Sequence, residues 1–309
     1  MLALLCGGQG RLESGSFDFV AKAKDPISIL APAKHVLSED PLTLYHRLPP
    51  ATVAQNQYNQ FFSVLLSLAH YGLIKDILPE QFAVAGYSVG EVAAFCLGGI
   101  WTTQQTLEIT WERARLMSSS CQLPCQLAFS MGLPLNTVET VSSKYAFSLA
   151  IQNPDDFFVL GGPVEHVGSL CSELKKLGAK RAEPLSVFIP SHTHYLSSAV
   201  APFQRYISTV AAKPVNDDRI LFSGLDGMRI YSSSEGIAKL DKAIAAPLDW
   251  KSTLLSLCEQ GVTHVLDLGP GNALANMIKA NYPHIAAYAV TDFQSIDGLR
   301  KWIGGVTTA

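Results

Sequence analysis

The stretch Gly86-Tyr87-Ser88-Val89-Gly90-Glu91 directly follows the apolar run Phe82-Ala83-Val84-Ala85. The apolar run predicts a short buried strand, and the residues from Glu91 onward predict the start of a helix. The flanking glycines allow a sharp strand-to-helix turn, which holds the serine outward in front of the amide groups of the helix N-terminus. The stretch therefore predicts an α/β fold in which Ser88 is a nucleophile that forms an acyl-enzyme.

Further apolar runs extend this prediction to a whole sheet. Runs that read as buried strands alternate with helical patterns, which is typical of an open parallel α/β sheet. The predicted strands cover residues 2–6, 82–85, 220–222, 262–268 and 285–290. The main runs end in glycine-bearing turns, and ligands of such sheets bind beyond the carboxyl ends of the strands. We therefore expect a large hydrolase-like α/β domain with its active site at that edge.

The middle of the chain follows a different order of elements. It predicts strands at 127–131, 147–152, 157–160 and 181–188, with helices at 135–143 and 164–177. The order β-α-β-β-α-β is that of a ferredoxin-like α+β unit. We expect this smaller domain, residues 125–189, to be inserted into a large domain formed by residues 1–124 and 190–309.

Composition limits the classes of function. Of the 309 residues 16% are charged and 48% hydrophobic, which favours a compact enzyme over a disordered chain. The net charge of -3 gives no reason to expect nucleic acid, and no apolar run reaches the ~20 residues that cross a bilayer. No signal peptide is recognisable, so we expect a cytoplasmic protein without membrane partners and with reduced thiols.

The six cysteines do not predict a metal site. Four of them, Cys6, Cys96, Cys171 and Cys258, lie in apolar surroundings and are expected to be small buried hydrophobes. The spacing of Cys121 and Cys125 matches no zinc half-site, and no histidine-rich segment accompanies them. We expect no bound metal.

A serine nucleophile requires a base, and four histidines are considered for that role. His192 and His194 follow the last predicted strand of the insertion, where the chain returns to the large domain and a loop faces the cleft. His264 lies inside a predicted strand and is expected to be a core residue. His284 lies in a late connection, where a hydrolase-type triad has its histidine. Spacing alone does not choose among these residues.

The oxyanion formed on attack needs two preorganised donors. The backbone N–H of Val89, directly after the nucleophile, is one candidate. The turn Gly8-Gln9-Gly10 is the other, because its glycines allow the backbone to approach closely. This turn lacks the full dinucleotide-binding spacing, since Glu13 stands where a third glycine is expected.

Two arginines lie on the helix predicted over residues 103–118. Arg113 and Arg115 flank its apolar face at nearly equal offsets. Either residue fits a solvent-exposed position or a bidentate clamp on a substrate carboxylate. Periodicity leaves this choice open.

Several ordered motifs resemble those of the malonyl-CoA:acyl-carrier-protein transacylase family, and the resemblance covers nearly the whole chain. Members of that family also carry a ferredoxin-like insertion. The matching stretches are Cys6-Gly7-Gly8-Gln9-Gly10, Gly86-Tyr87-Ser88-Val89-Gly90-Glu91, Arg113-Ala114-Arg115-Leu116-Met117, Pro190-Ser191-His192, Pro247-Leu248-Asp249-Trp250 and Gly269-Pro270-Gly271-Asn272-Ala273-Leu274.

The resemblance implies an acyl-carrier-protein S-malonyltransferase with a two-stage reaction. It implies Ser88 and His192 as catalytic residues, backbone donors at Gln9 and Val89, and Arg113 as the residue that binds the malonyl carboxylate. It also implies malonyl-CoA as a thioester substrate, an acyl carrier protein as a partner, and no bound cofactor.

Three departures from the family motifs suggest a divergent branch. Gly7 replaces a proline, Tyr87 replaces a histidine, and Ala243 stands where many members have glutamine. A malonate decarboxylase epsilon subunit, a malonyl transacylase that acts within a larger complex, fits such a branch. Two other functions stay open at this point: a serine hydrolase or thioesterase that uses Ser88 with His284, and a non-catalytic subunit that docks a carrier protein.

Overall fold

The computed structural model describes residues 1–308 and contains two five-stranded β-sheets. The first sheet is entirely parallel and has the strand order β10-β9-β1-β2-β7. Its strands are β1 (Leu2–Cys6), β2 (Phe82–Gly86), β7 (Arg219–Phe222), β9 (His264–Asp267) and β10 (Ala286–Ala289). All five coincide with predicted apolar runs, so the predicted α/β fold class is confirmed.

Alternate side chains of β1 show why these runs are apolar throughout. Leu2 and Leu4 belong to the hydrophobic cluster on one face of the sheet, whereas Ala3 and Leu5 belong to the cluster on the other face. All four are at most 1% exposed. A parallel sheet covered on both faces requires apolar residues at every position, because each side chain enters a core.

Helices cover both faces of the first sheet, and several begin with a side-chain cap. Asp25 accepts a hydrogen bond from the Ser28 N–H at the start of one helix, and Thr102 forms a capping box with Gln105 at the start of another. These helices are α1 (Asp18–Ala21), α2 (Pro26–Leu37), α3 (Pro41–Arg47), α4 (Pro50–Val53), α5 (Asn56–Gly72), α6 (Gly90–Leu97), α7 (Thr103–Ser120), α10 (Ser197–Ile207), α11 (Ser233–Ala243), α12 (Trp250–Glu259), α13 (Ala273–Asn281) and α14 (Ile296–Thr308).

The second sheet has the strand order β6-β3-β5-β4-β8. Its first four strands and two helices follow the predicted β-α-β-β-α-β order. They are β3 (Cys125–Met131), α8 (Leu135–Lys144), β4 (Ser148–Asn153), β5 (Phe157–Pro163), α9 (Val167–Lys176) and β6 (Arg181–Pro184). The last strand is shorter than the predicted 181–188, because its regular pairing with β3 ends where Pro184 lies opposite Ala128 and the register then shifts. Leu185 and Val187 still exchange backbone hydrogen bonds with Leu127.

The fifth strand of the second sheet comes from outside the predicted insertion. Strand β8 (Leu248–Asp249) pairs in parallel with β4, with Leu248 opposite Ile151. The chain continues directly into α12 at Trp250, whose indole is fully buried. A segment that packs under the first sheet thus also extends the second sheet, which connects the two bodies by backbone pairing.

The burial of the cysteines and of His264 differs in part from what the sequence predicts. All six cysteines have free thiols, and Cys6 and Cys171 are buried as expected, but Cys96 and Cys258 are only half-buried. His264 is the first residue of β9 and is half-exposed, because the strand begins later than predicted. Among residues 1–308, no helix combines the length and the apolar character needed to cross a membrane.

Candidate active site

Ser88 lies in the turn between β2 and α6, with its backbone in the left-handed region at φ 55°. The turn is tight: a Cβ on Gly90 would lie 2.1 Å from the carbonyl oxygen of Cys6, so only glycine fits there. A non-glycine residue held at positive φ indicates local strain that surrounding structure must stabilise, and such strain clusters at functional sites. The turn therefore has the geometry expected of a nucleophile elbow.

His192 contacts Ser88 directly. The distance between Ser88 Oγ and His192 Nε2 is 2.7 Å, although the two residues are 104 positions apart. The other ring nitrogen, Nδ1, lies 2.5 Å from the carbonyl oxygen of Ala243, and the backbone N–H of His192 donates to the Ile244 carbonyl. Since a carbonyl only accepts, Nδ1 carries the proton and Nε2 is free to accept the serine proton.

Burial favours the neutral form of this imidazole. His192 is 1% exposed, and burial followed by the nearby positive charge of Arg113 lowers its pKa to about 3. A histidine with a lowered pKa is unprotonated at neutral pH. The ring is therefore in the state that a general base requires.

The other histidines do not reach Ser88. His194 faces the second sheet, where its Nδ1 lies 3.1 Å from Ser148 Oγ. His264 and His284 lie at the amino ends of β9 and β10, whereas Ser88 follows the carboxyl end of β2 in the same parallel sheet. The alternative that pairs Ser88 with His284 is therefore wrong, because the two residues lie at opposite edges of the sheet.

Arg113 and Arg115 have different environments on α7. Arg113 is 2% exposed, and its Nη1 donates to Gln60 Oε1 at 2.6 Å. Its Nε is buried without a hydrogen-bond partner among the described residues. Arg115 is exposed and pairs with Glu112 at 2.6 Å. The structure thus separates two arginines that helical periodicity could not distinguish.

The charge of Arg113 has little compensation nearby. Burial lowers its pKa to about 10, and the Glu91 carboxylate opposes that shift from beyond ion-pair distance. Guanidinium still remains protonated at neutral pH. A buried cation that uses one hydrogen bond and keeps a free Nε–H is suited to a carboxylate ligand, which it can bind through two parallel hydrogen bonds.

Two backbone segments meet beside Ser88. Val89 caps the N-terminus of α6, where the first N–H groups have no acceptor within the helix. The turn at Gly8 packs against the elbow, since a Cβ on Gly8 would lie 3.0 Å from the Tyr87 carbonyl oxygen and 3.5 Å from Ser88 Cβ. The turn that contains Gln9 thus lies beside the nucleophile.

The Gly8-Gln9-Gly10 turn is held from two directions. Gly7 donates its N–H to the Gly269 carbonyl at 3.0 Å, and Asn59 Nδ2 donates to the Gly10 carbonyl at 3.1 Å. A Cβ on Gly7 would lie 2.6 Å from that Gly269 oxygen. This contact explains the departure at position 7, because a proline would lose the hydrogen bond and add atoms where none fit.

Tyr87, the second departure, connects the elbow with other elements. Its ring packs edge-on against Trp250 with centroids 5.2 Å apart. Burial raises the pKa of its phenol, which the Asn153 side chain at the end of β4 opposes. The residue before the nucleophile thus contacts both α12 and the second sheet.

Several residues of this site were not identified from the sequence. Gln60 and Asn59 are buried polar residues on α5, a helix for which only apolar periodicity was considered. Glu91 is 1% exposed and accepts a hydrogen bond from the Gly224 N–H at 3.0 Å, and burial raises its pKa to about 7. Polar side chains inside an otherwise apolar helix were the available signal. Among residues 1–308, no group of histidine, cysteine and carboxylate side chains is arranged to hold a metal ion.

Comparison with known proteins identifies relatives over nearly the full length, although no family model matches the chain. The malonyl CoA-acyl carrier protein transacylase of Haemophilus influenzae is 23% identical over 97% of this chain and 98% of its own. The enzyme of the same name from Staphylococcus aureus is 22% identical, with 97% of each chain covered.

Solved structures share the fold. An acyl-carrier-protein S-malonyltransferase from Burkholderia pseudomallei superposes with a TM-score of 0.89 at 24% identity, covering 97% of this chain and 99% of that one. A malonyl CoA-acyl carrier protein transacylase from Coxiella burnetii gives 0.90 at 21% identity, covering 99% and 98%. A malonyl-transacylase in complex with its type II polyketide acyl-carrier protein gives 0.89 at 23%, covering 97% and 99%. Over nearly its full length, the chain is thus similar in sequence to malonyl CoA-acyl carrier protein transacylases.

Proposed function

We propose that this protein transfers a malonyl group from coenzyme A to the prosthetic-group thiol of an acyl carrier protein, through an acyl-enzyme at Ser88. The observation that supports it most directly is the 2.7 Å contact between Ser88 Oγ and His192 Nε2. The relatives described above are named malonyl transacylases, and those names support malonyl as the acyl group and coenzyme A and an acyl carrier protein as the two thiols. No bound cofactor is required.

The first half-reaction acylates the serine. His192 Nε2 accepts the Ser88 proton while Oγ attacks the thioester carbonyl carbon. The Ala243 carbonyl holds the Nδ1 proton, which keeps the ring oriented and stabilises the imidazolium that forms. When the tetrahedral intermediate collapses, the carbon–sulfur bond breaks and His192 gives the proton to the leaving coenzyme A thiolate.

The oxyanion is stabilised by backbone donors. We assign this role to the N–H groups of Val89, which follows the nucleophile, and of Gln9, in the turn packed beside it. Such donors are fixed before the reaction, so they stabilise developing charge without reorganisation. Asn59 and Gly269 support the Gln9 turn through its two neighbours, Gly10 and Gly7.

Arg113 selects the acyl group in this proposal. Its guanidinium binds the free carboxylate of malonyl, while Gln60 holds the side chain in place. The carboxylate would also offset the positive charge that lowers the pKa of His192. An acyl group bearing a carboxylate thus makes the imidazole a better proton acceptor, which an acetyl group does not do.

The second half-reaction reverses the roles of the leaving and attacking thiols. The carrier-protein thiol gives its proton to His192 and attacks the ester carbonyl of the acyl-serine. The carbon–oxygen bond then breaks, and Ser88 regains its proton from the imidazolium. Exchange of one thioester for another is nearly neutral in free energy, so the site itself must favour the thiol over water. A fixed acyl group in a narrow cleft would do this.

The remaining assignments are part of the same proposal. A cytoplasmic location is expected from the sequence. Membership of a malonate decarboxylase complex stays a prediction from the departures at Gly7, Tyr87 and Ala243, of which Gly7 is explained by its contact with Gly269. Ala243 supplies only its carbonyl to His192, so the identity of its side chain does not affect that hydrogen bond.

One assay separates transfer from the two alternative functions. The protein is incubated with malonyl-CoA labelled in the malonyl group, together with either a carrier protein bearing its prosthetic arm or the same carrier protein without it. We expect label on the armed carrier protein only, with little free malonate. Release of free malonate at equal rates in both mixtures would indicate a hydrolase, and absence of any labelled product would indicate a docking subunit.

A further inference from the structure

A cavity lies away from Ser88, at the junction where the chain passes from α7 into the second sheet. Its volume is about 290 Å³, and its lining includes Cys121, Cys125, His194 and Tyr195. The first two residues belong to the junction itself, and the other two follow His192 by two and three positions. The cavity thus adjoins both the start of the second sheet and the segment that carries the proposed base.

The two cysteines differ in exposure. Cys121 caps the C-terminus of α7 and is half-buried, with its thiol directed to the Leu123 carbonyl at 3.2 Å. Cys125 is the first residue of β3 and is 2% exposed. The residues between them, Gln122, Leu123 and Pro124, are all exposed. The thiol of Cys121 is therefore the more accessible of the two.

The thiols are neighbours. Burial raises the pKa of Cys125 to about 12, and the nearby Cys121 side chain adds to that rise. Both side chains line the same small cavity, and the loop between them has only three residues. A short loop keeps its two ends together without a large loss of chain entropy.

We propose that Cys121 and Cys125 form a redox site, which low-molecular-weight disulfides of the glutathione class oxidise to an intramolecular disulfide. Nothing in the proposed acyl transfer uses these thiols. The site differs from the other four cysteines in having an accessible thiol paired with a buried one at the connection between the two sheets.

The reaction proceeds by thiol–disulfide exchange. The Cys121 thiolate attacks one sulfur of the external disulfide, and that sulfur–sulfur bond breaks to release one thiol. The Cys125 thiol then loses its proton and attacks the Cys121 sulfur, which releases the second thiol. Two protein thiols and one external disulfide thus become one protein disulfide and two free thiols. Cys121 attacks first, because it is the more accessible of the two and Cys125 has little thiolate at neutral pH.

The disulfide between Cys121 and Cys125 would affect the proposed active site by moving residues that line the cavity. A sulfur–sulfur bond is about 2.0 Å long, so its formation draws the end of α7 toward the start of β3. The Tyr195 ring lines the cavity and its hydroxyl donates to the Ala146 carbonyl at 2.6 Å, while His194 lies against Ser148. Movement of these rings displaces the segment that begins at His192. We therefore expect oxidation to slow acyl transfer. This effect rests on the function proposed above, whereas formation of the disulfide does not depend on it.

The test measures both the formation of the disulfide and the rate of malonyl transfer. The protein is treated with oxidised glutathione, alkylated, digested without reduction and analysed by mass spectrometry. We expect the peptide containing Cys121 and Cys125 to lack two hydrogens and to escape alkylation. We also expect malonyl transfer to fall by about fivefold and to recover with dithiothreitol.

Matched variants distinguish the outcomes. Cys121→Ser should make transfer insensitive to oxidised glutathione, and Cys258→Ser, at a half-buried cysteine on α12, should leave the sensitivity unchanged. Alkylation of both junction cysteines after oxidation would overturn the redox site, whether or not the protein is an active transferase. A disulfide that leaves the transfer rate of an active protein unchanged would overturn its coupling to His192.

Discussion

Gln60 on α5 accepts a 2.6 Å hydrogen bond from Arg113 on α7, and both side chains are at most 2% exposed. The amide of Gln60 is itself fixed, because its Nε2 donates to Asn56 Oδ1 at 2.8 Å. A neutral amide orients the guanidinium without cancelling its charge. The pair therefore preserves a buried positive charge, which a glutamate at position 60 would have neutralised.

Replacing Arg113 should change the choice of acyl group. In Arg113→Ala, we expect malonyl loading to fall by about 100-fold, because the malonyl carboxylate would be desolvated without a partner. Acetyl loading should be unchanged or faster, since it needs no cation and the charge that disfavours protonated His192 is removed. Loading rates with malonyl-CoA and acetyl-CoA measure this directly.

Arg115→Ala is the matched control, because Arg115 lies on the same helix but is exposed and paired with Glu112. Its loading rates should equal those of the parent. An equal loss of malonyl and acetyl loading in Arg113→Ala would show that Arg113 does not bind the malonyl carboxylate.

Position 7 should tolerate no side chain. In Gly7→Ala the added Cβ would meet two backbone atoms of Gly269, at 2.6 and 2.9 Å, and backbone atoms move less readily than side chains. We expect the free energy of unfolding to fall by about 1–3 kcal/mol. Acylation should also slow, because the Gln9 turn would shift. Thermal or urea unfolding measures the first effect.

Gly168→Ala provides the opposite case. Gly168 lies in α9, and a Cβ there would meet nothing within 4 Å. Alanine should stabilise the protein by about 0.5–1 kcal/mol, because it favours helix and reduces the entropy of the unfolded chain. If Gly7→Ala is as stable as the parent, the close contact with Gly269 does not restrict the side chain at position 7.

His70 should contribute to loss of stability in acid. It is 1% exposed on α5, where its Nδ1 lies 2.8 Å from the Leu268 carbonyl oxygen, and burial lowers its pKa from 6.5 to about 4. Between these values the unfolded state binds a proton that the folded state does not. The contribution of His70 is therefore present above pH 6.5 and is lost as the pH falls toward 4.

His70→Gln removes this titration while retaining an amide donor for Leu268. Compared with the parent, the variant should lose less stability between pH 6.5 and pH 4, by up to about 1.4 kcal/mol per pH unit. The comparison between proteins is necessary because burial also raises the pKa of Glu91 to about 7 and that of Asp267 to about 6. These two carboxyl groups make the protein more stable as the pH falls, which is the opposite dependence. His35→Gln, at an exposed histidine, should match the parent, and identical slopes in all three proteins would refute the assignment.

The strands and the position of Ser88 could be predicted from the sequence because each depends on a local pattern. A strand buried on both faces must be apolar throughout, and the elbow needs glycines at fixed positions beside the serine. The two-residue strand β8 could not be predicted, since Leu248–Asp249 carries no pattern of its own and pairs only because β4 is adjacent. Strand pairing of this kind is decided by tertiary contacts.

The choice between paired candidates also required information beyond local pattern. His192 and His194 are two positions apart and equally polar, so local pattern does not choose between them. The family resemblance favours His192, and the fold shows that it meets Ser88 whereas His194 meets Ser148. The same is true of Arg113 and Arg115, which the family resemblance separated before the structure did. Gln60 was missed because a buried amide beside an arginine is recognisable only once the two helices are packed together.

Intact-protein mass spectrometry after brief exposure to malonyl-CoA shows whether Ser88 carries the acyl group. Ser119→Ala is the matched control, because Ser119 is an exposed serine on α7. We predict that the parent and Ser119→Ala each gain the mass of one malonyl group and that Ser88→Ala gains none. A Ser88→Ala protein that acquires the malonyl mass as fully as the parent would contradict the account.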